Sequence, residues 1–520
     1  MLFNSYEFLF LYFPISFAAF FAIGRYSRAL AALWLFAASL FFYGWWNPAY
    51  VGLLVGSILF NFAMGSAISR QHQRGAFNSA KGLLIVAISS DLGLLAYYKY
   101  ANFFVDNAIQ WLGMDGTMQT VILPLGISFF TFTQIAFLVD AYRGEVKERN
   151  FVHYGLFVTY FPHLIAGPVL HHKEMMPQFA QAKTYRPHWD NISIGLTFFI
   201  IGLFKKLVLA DGVAPFATPV FSAASAGASL TLLEAWGGAL AYTLQLYFDF
   251  SAYSDMAIGL SRMFGIKLPL NFNSPYKAVN IVDFWRRWHM TLSRFLREYL
   301  YFALGGNRKG AVRRYANLML TMLLGGLWHG AGWTFIIWGG LHGVYLCINH
   351  AWSQFRTTVL GALPVSGLER GAAWLLTFLA VVVGWVFFRA DDTSAALAIL
   401  HAMVGKNGML VPDNWPAAWY FYAALTKLGL SVQLGVPVSQ FDPTGVSPYW
   451  IAALLAIAWF MPNTQQFMGR FKPAIEQVDA LPPPRPMWMP SARWAIIMGV
   501  VAAVAMLHLT RVSEFLYFQF

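Results

Sequence analysis

The chain has 520 residues, 58% hydrophobic and only 11% charged, with a mean hydropathy of +0.53. Soluble domains are about 45–50% apolar and about 25% charged, so disordered, collagen-like and coiled-coil classes are excluded, and apolarity along the whole length argues against a soluble enzyme on one anchor. Thirty-five basic residues against 23 acidic ones leave +12, which in a polytopic membrane protein points to cytoplasmic loops and an anionic ligand, not to nucleic acid.

A spanning helix needs about 20 mostly apolar residues. Stretches of that kind run over 8–24, 29–46, 50–68, 83–98, 120–139, 151–170, 192–210, 232–250, 315–328, 331–350, 371–388, 417–431, 448–461 and 493–508. They predict an all-α polytopic membrane protein of about 11–14 spans, some broken or re-entrant at Gly and Pro. The runs are continuous, unlike the alternating strands of an outer-membrane barrel. The stretch 8–24 reads as a retained first helix, since no basic region and small-residue cleavage site accompany it. Residues 1–520 read as one membrane domain, with a stiff Pro-rich linker at 482–490 before the last span.

Residues 267–314 hold ten basic and two acidic residues, a net +8 that places them on the cytoplasmic side. Within them Ile281, Trp285, Trp288, Leu292, Phe295 and Tyr299 recur at helical spacing, which predicts an amphipathic helix of about five turns. It either lies flat at the headgroups or lines a cavity.

No phosphate-binding lysine loop, nucleophile elbow, zinc-protease motif or dinucleotide fingerprint occurs. The one cysteine, Cys347, excludes an intrachain disulfide and a cysteine metal cluster, and its apolar neighbours suggest burial. Ionisable groups in apolar segments are costly and default to functional candidates. His329 lies in Gly325-Gly326-Leu327-Trp328-His329-Gly330 between apolar runs, and is either a proton acceptor or a histidine bonded between helices. His289 sits near the apolar side of 281–300, either snorkelling or facing a cavity. His342 reads as packing. Asp249 and Asp255, in the polar run Gln245–Asp255 that includes Tyr253, either orient a histidine, pair with arginines, or cap helices at a break. Phe161–Pro168 is a broken membrane segment, and His171-His172 without acidic neighbours makes a poor metal site. No metal is expected.

Several of these stretches meet a known pattern. Ile122–Phe129, Phe161–Pro168, Gln245–Leu260, Phe284–Ser293, Leu304–Gly310, Gly325–Gly330 and Gly384–Ala390 resemble the membrane-bound O-acyltransferases, in particular the bacterial alginate O-acetylase branch. The resemblance covers about residues 5–390, with 391–520 matched weakly, and Ala252 stands where the family usually has Gly. It implies a helix bundle around a central tunnel in the bacterial inner membrane. The family's catalytic histidine falls on His329 and a second functional histidine on His289. The resemblance also implies acetyl-CoA as cytoplasmic acyl donor, no bound cofactor, and a periplasmic SGNH-type partner that completes acetylation of an exported polysaccharide, alginate or a similar polymer. Acetylated cellulose or peptidoglycan fits as an alternative, and a polysaccharide flippase is the rival of another class. Trp288, Asn307, Arg308 and Lys309, with Asp249, Tyr253 and Asp255, are the further candidates for substrate or donor binding. Asn307–Lys309 and Arg313-Arg314 either hold the donor's phosphates or serve as topogenic charge. A backbone N–H of Gly325-Gly326 is the candidate oxyanion donor.

Overall fold

A computed structural model of the protein describes residues 1–113, 120–165, 167–359, 361, 366–476, 487–510 and 516. The described residues are predominantly helical, and the chain divides into two compact units. Among the described residues, four helices are long and apolar enough to cross a membrane: Ala49–Gln73, Phe77–Leu112, Trp189–Ser225 and Gly367–Arg389. Six shorter apolar helices accompany them, among them Phe8–Gly24, Arg28–Gly44 and Ala492–Leu507. The protein is an all-α polytopic membrane protein, as composition predicts. The stretches at 232–250, 315–328 and 331–350 fall within the more polar helices Leu232–Met263, Gly310–His329 and Trp333–Val359.

The first unit comprises residues 1–204, 252–271 and 464–511. Ala49–Gln73 packs against Phe77–Leu95 and Ile127–Tyr142, and Arg28–Gly44 against Phe151–Thr159. Pro124 and Gly126 precede the helix that starts at Ile127, and the helix at Phe151 ends at Thr159, ahead of Pro162. Trp189–Phe204 meets the 252–263 end of Leu232–Met263 backbone to backbone, because a Cβ on Gly195 or Gly259 would stand 2.5 or 2.6 Å from the other's carbonyl oxygen. Such close approach replaces the hydrophobic drive that lipid does not supply. A buried polar chain ties four helices together: Asn61 donates to Asp91 Oδ1 at 2.8 Å, Gln134 to Ser57 Oγ at 2.8 Å, and Tyr154 to Gln134 Oε1 at 3.2 Å.

Among the described residues, the second unit comprises 205–251 and most of 272–463. Its core runs from Val213 and Tyr242 through Phe284, Trp288, Trp338 and Trp385 to Ile399. Helix Gly310–His329 packs along Trp333–Val359, which in turn packs on Gly367–Arg389. Two expectations fail here. The stretch 417–431 is no span: Ala418–Lys427 is a ten-residue helix between the parallel strands Met409–Pro412 and Val432–Gly435, about 15 Å long against a hydrocarbon core of about 30 Å. Cys347 is half-buried, not buried. Residues 482–486 of the Pro-rich linker lie outside the described residues.

Candidate active site

The predicted five-turn helix over 281–300 is broken into pieces, and the break creates the site. Ile281–Trp285 is capped by Asn280, whose Oδ1 accepts from the Asp283 N–H at 2.8 Å. Met290–Phe295 follows, then a wider π-helical turn over Leu296–Tyr301. Between the first two pieces His289 takes a left-handed conformation, φ 42° and ψ 52°. The turn is pinned from below: Arg287 Nε lies 2.8 Å from Asp283 Oδ1, and the Asn273 N–H donates to the Arg287 carbonyl at 2.9 Å. Helical spacing in sequence cannot register such a break, because the apolar residues keep facing one core on both sides of it.

His289 is fully buried. Its ring meets the edge of Phe250 at 4.8 Å between centroids and faces His329 at 6.4 Å. Burial pushes its imidazole down to about 3, so the ring is neutral at physiological pH.

His329 is the last residue of helix Gly310–His329, and Gly330 continues in extended conformation. Its ring is enclosed by Trp328 at 4.9 Å, Trp338 at 5.1 Å and Phe388 at 5.2 Å, two of them supplied by the following helices. Trp338 lies in no motif that sequence flagged, and Phe388 lies in Gly384–Ala390 without a polar signal of its own. Only their packing assigns them to the site. An imidazole in an aromatic enclosure, beside the neutral imidazole of His289, can accept a proton from a hydroxyl without competition from bulk water.

The other predicted residues fall elsewhere. Trp288 is a core wedge, 5.0 Å from Phe272 and 4.8 Å from Trp385. His342 is buried against Trp285 and Trp338, with Gly384 leaving room for its ring. Asn307, Arg308 and Lys309 sit before the start of the helix whose far end carries His329, about 30 Å along its axis. A donor held at both places would run the length of that helix.

Leu232–Met263 is continuous, so Gln245–Asp255 contains no break and neither aspartate caps a helix there. Asp249 pairs with Lys206 at 2.6 Å, and Lys206 also reaches Asp211 at 2.8 Å. Sequence reading passed over Lys206, although a lysine in the apolar run 192–210 is a signal of the same kind as a buried histidine. In the first unit, Asp255 accepts from Thr464 Oγ1 at 2.6 Å and Tyr253 stacks on Phe3 at 4.7 Å. His172 does have an acidic neighbour, Asp140 at 3.2 Å from a distant helix, but among the described residues no group of three potential metal ligands forms. Gly325 and Gly326 lie inside a helix, so their N–H groups are spent on helical bonds and offer no oxyanion hole.

Residues 16–363 match the membrane-bound O-acyltransferase family. The chain belongs to that family. The chain is 46% identical to a peptidoglycan O-acetyltransferase of Helicobacter pylori over 79% of its own length and 81% of the relative's. It is 39% identical to a probable alginate O-acetylase AlgI of Azotobacter vinelandii and 40% to one of Pseudomonas putida, each over the full length of both chains. A teichoic acid D-alanyltransferase of Bacillus subtilis is 33% identical over 52% of this chain and 69% of its own. As a membrane-bound O-acyltransferase, the protein is a multi-pass membrane enzyme that transfers an acyl group.

Proposed function

We propose that the protein passes an acetyl group from cytoplasmic acetyl-CoA across the inner membrane for O-acetylation of an exported polysaccharide, alginate or an alginate-like polymer. The approach of His289 and His329 to 6.4 Å inside one aromatic enclosure, from separate chain segments, carries the reading. The names of the full-length relatives supply the acetyl group and the polymer class.

In this reading His329 takes the proton of the acceptor hydroxyl as the oxygen attacks the thioester carbonyl. A C–O bond forms, the C–S bond breaks, and the proton leaves on the thiol. A general base placed in this way contributes about 10²–10⁴-fold in rate. His289, neutral and strained toward His329, orients the acceptor or the carbonyl from the opposite side. A periplasmic SGNH-type enzyme completes transfer to the polymer. Peptidoglycan is the second reading of the acceptor, favoured by the 46% identity to the Helicobacter pylori relative.

His329→Ala is expected to reduce polymer O-acetyl content to background while the amount of protein in the membrane is unchanged. Mass analysis of surface polymers, reading acetyl content and sugar identity together, checks this and separates alginate from peptidoglycan. Normal acetylation by a well-expressed His329→Ala protein would overturn the assignment.

A further inference from the structure

Where helix Gly310–His329 begins and helix Trp333–Val359 ends, the second unit holds a cleft of about 460 Å³. Asn307, Arg314, His350, Ser353 and Gln354 line it, and none of its lining residues is acidic. Of Asn307–Lys309, only Asn307 lines it; the basic residues Arg308 and Lys309 do not.

Arg314 is the charged member. Its guanidinium lies 4.8 Å from the centre of the Tyr315 ring, and Nη2 donates to the Tyr315 hydroxyl at 3.0 Å. Its Nε is buried and meets no acceptor. Among the described residues no carboxylate pairs with it. A half-buried guanidinium with only a neutral partner retains its capacity for an anion, and its planar fork suits phosphate oxygens. The first turn of helix Gly310–His329 adds to this, since no side chain caps its N–H groups. The flanks are apolar: Ile348, Trp352, Phe355 and Val359 on one helix and Val312 on the other are all exposed. A polar, acid-free cleft between exposed apolar flanks suits a phosphate at the level of the bilayer surface.

We propose that this cleft binds a phosphate group, with Arg314 as its anchor and Asn307, His350, Ser353 and Gln354 as neutral hydrogen-bonding partners. The chemistry is shared by a phospholipid headgroup and by the phosphate of a soluble nucleotide. The nucleotide source deepens the acetyl-CoA reading and rests on it, while the lipid source does not; the test reads binding without turnover, so lost phosphate preference with acetylation intact fails the site alone, and lost acetylation with binding intact fails that reading alone.

The test uses the full chain in a phosphate-free detergent. In one arm, native mass spectrometry compares retention of phosphatidylglycerol with retention of a diglucosyl diacylglycerol. In the other, calorimetry compares adenosine 3′,5′-bisphosphate with adenosine. The preference for the phosphate-bearing probe is expected in at least one arm, reduced about tenfold in Arg314→Gln, the worth of one charge-assisted contact. Gln354→Glu, at an exposed position where folding is not at stake, is expected to reduce it in the same direction. Arg370→Gln removes an equal charge at an exposed position outside the cleft lining and is expected to leave it intact. The responding arm identifies the source, lipid or nucleotide. No preference for phosphate in either arm, or an equal loss in Arg370→Gln and Arg314→Gln, overturns the site.

Discussion

A left-handed conformation costs a non-glycine residue about 1–2 kcal/mol, and His289 is held in it at φ 42° while fully buried. Strain of this kind persists where the surroundings over-determine it, and it gathers at functional sites. Here it turns the imidazole toward His329, where an unbroken helix would have spent residue 289 on the core face. Burial lowers the His289 pKa to about 3, whereas an unfolded histidine titrates near its ordinary value of about 6.5. Between those values the unfolded chain binds a proton that the folded chain does not. The stabilisation is therefore complete above about pH 6.5 and is lost as pH falls. His289→Gln removes this term. Its thermal midpoint is expected to fall less than that of the parent between about pH 7.5 and pH 5, measured by tryptophan fluorescence in detergent. An equal fall in both proteins counts against a neutral, buried His289.

At the scale of elements, helices Gly310–His329 and Trp333–Val359 approach through glycines. A Cβ on Gly326 would meet the Phe335 carbonyl, and one on Gly339 the Met322 carbonyl, which are backbone atoms that cannot yield. Gly340 differs, since its nearest neighbour is the flexible Leu323 Cδ2 at 3.6 Å. The seam fixes how far Trp338 stands from His329, so its width is set by side-chain size. Gly339→Leu is expected to part the helices and, by moving the enclosure about 1 Å, to lower acetylation by about 10²-fold with the protein still in the membrane. Gly340→Ala is expected to be neutral. Polymer acetyl content against membrane protein level reads both, and equal behaviour of the two variants would show that the seam does not position the site. The same scale explains the failed span at 417–431. Its composition is apolar, but Gly429 and the flanking strand-forming residues stop the helix at ten residues, too short for a bilayer.

For the whole molecule, the net +8 over residues 267–314 predicts a cytoplasmic location for that segment. Because Cys347 is the sole cysteine, Cys347→Ala gives a background in which Lys309→Cys can be labelled alone. A membrane-impermeant maleimide is expected to reach it only in inverted vesicles, and labelling from the periplasmic face of intact cells would reverse the orientation. Membrane class and helical content were legible in the sequence, and so were the two histidines on which the proposed chemistry rests. Each depends on composition, or on a costly polar residue in an apolar run, and both are local properties of the chain. Trp338 and Phe388 around His329, Lys206 beneath Asp249 and the break that turns His289 were not legible. They arise from contacts between residues far apart in sequence, and an aromatic residue in an apolar helix looks the same whether it faces lipid, core or a reacting hydroxyl. The sequence by itself determined the membrane class, and through its resemblance to a known family the acyltransferase class, with histidines in or beside its apolar segments. Only tertiary packing decided which of them meet, because the strain and close approach that bring His289 to His329 exist only once the surrounding helices enforce them.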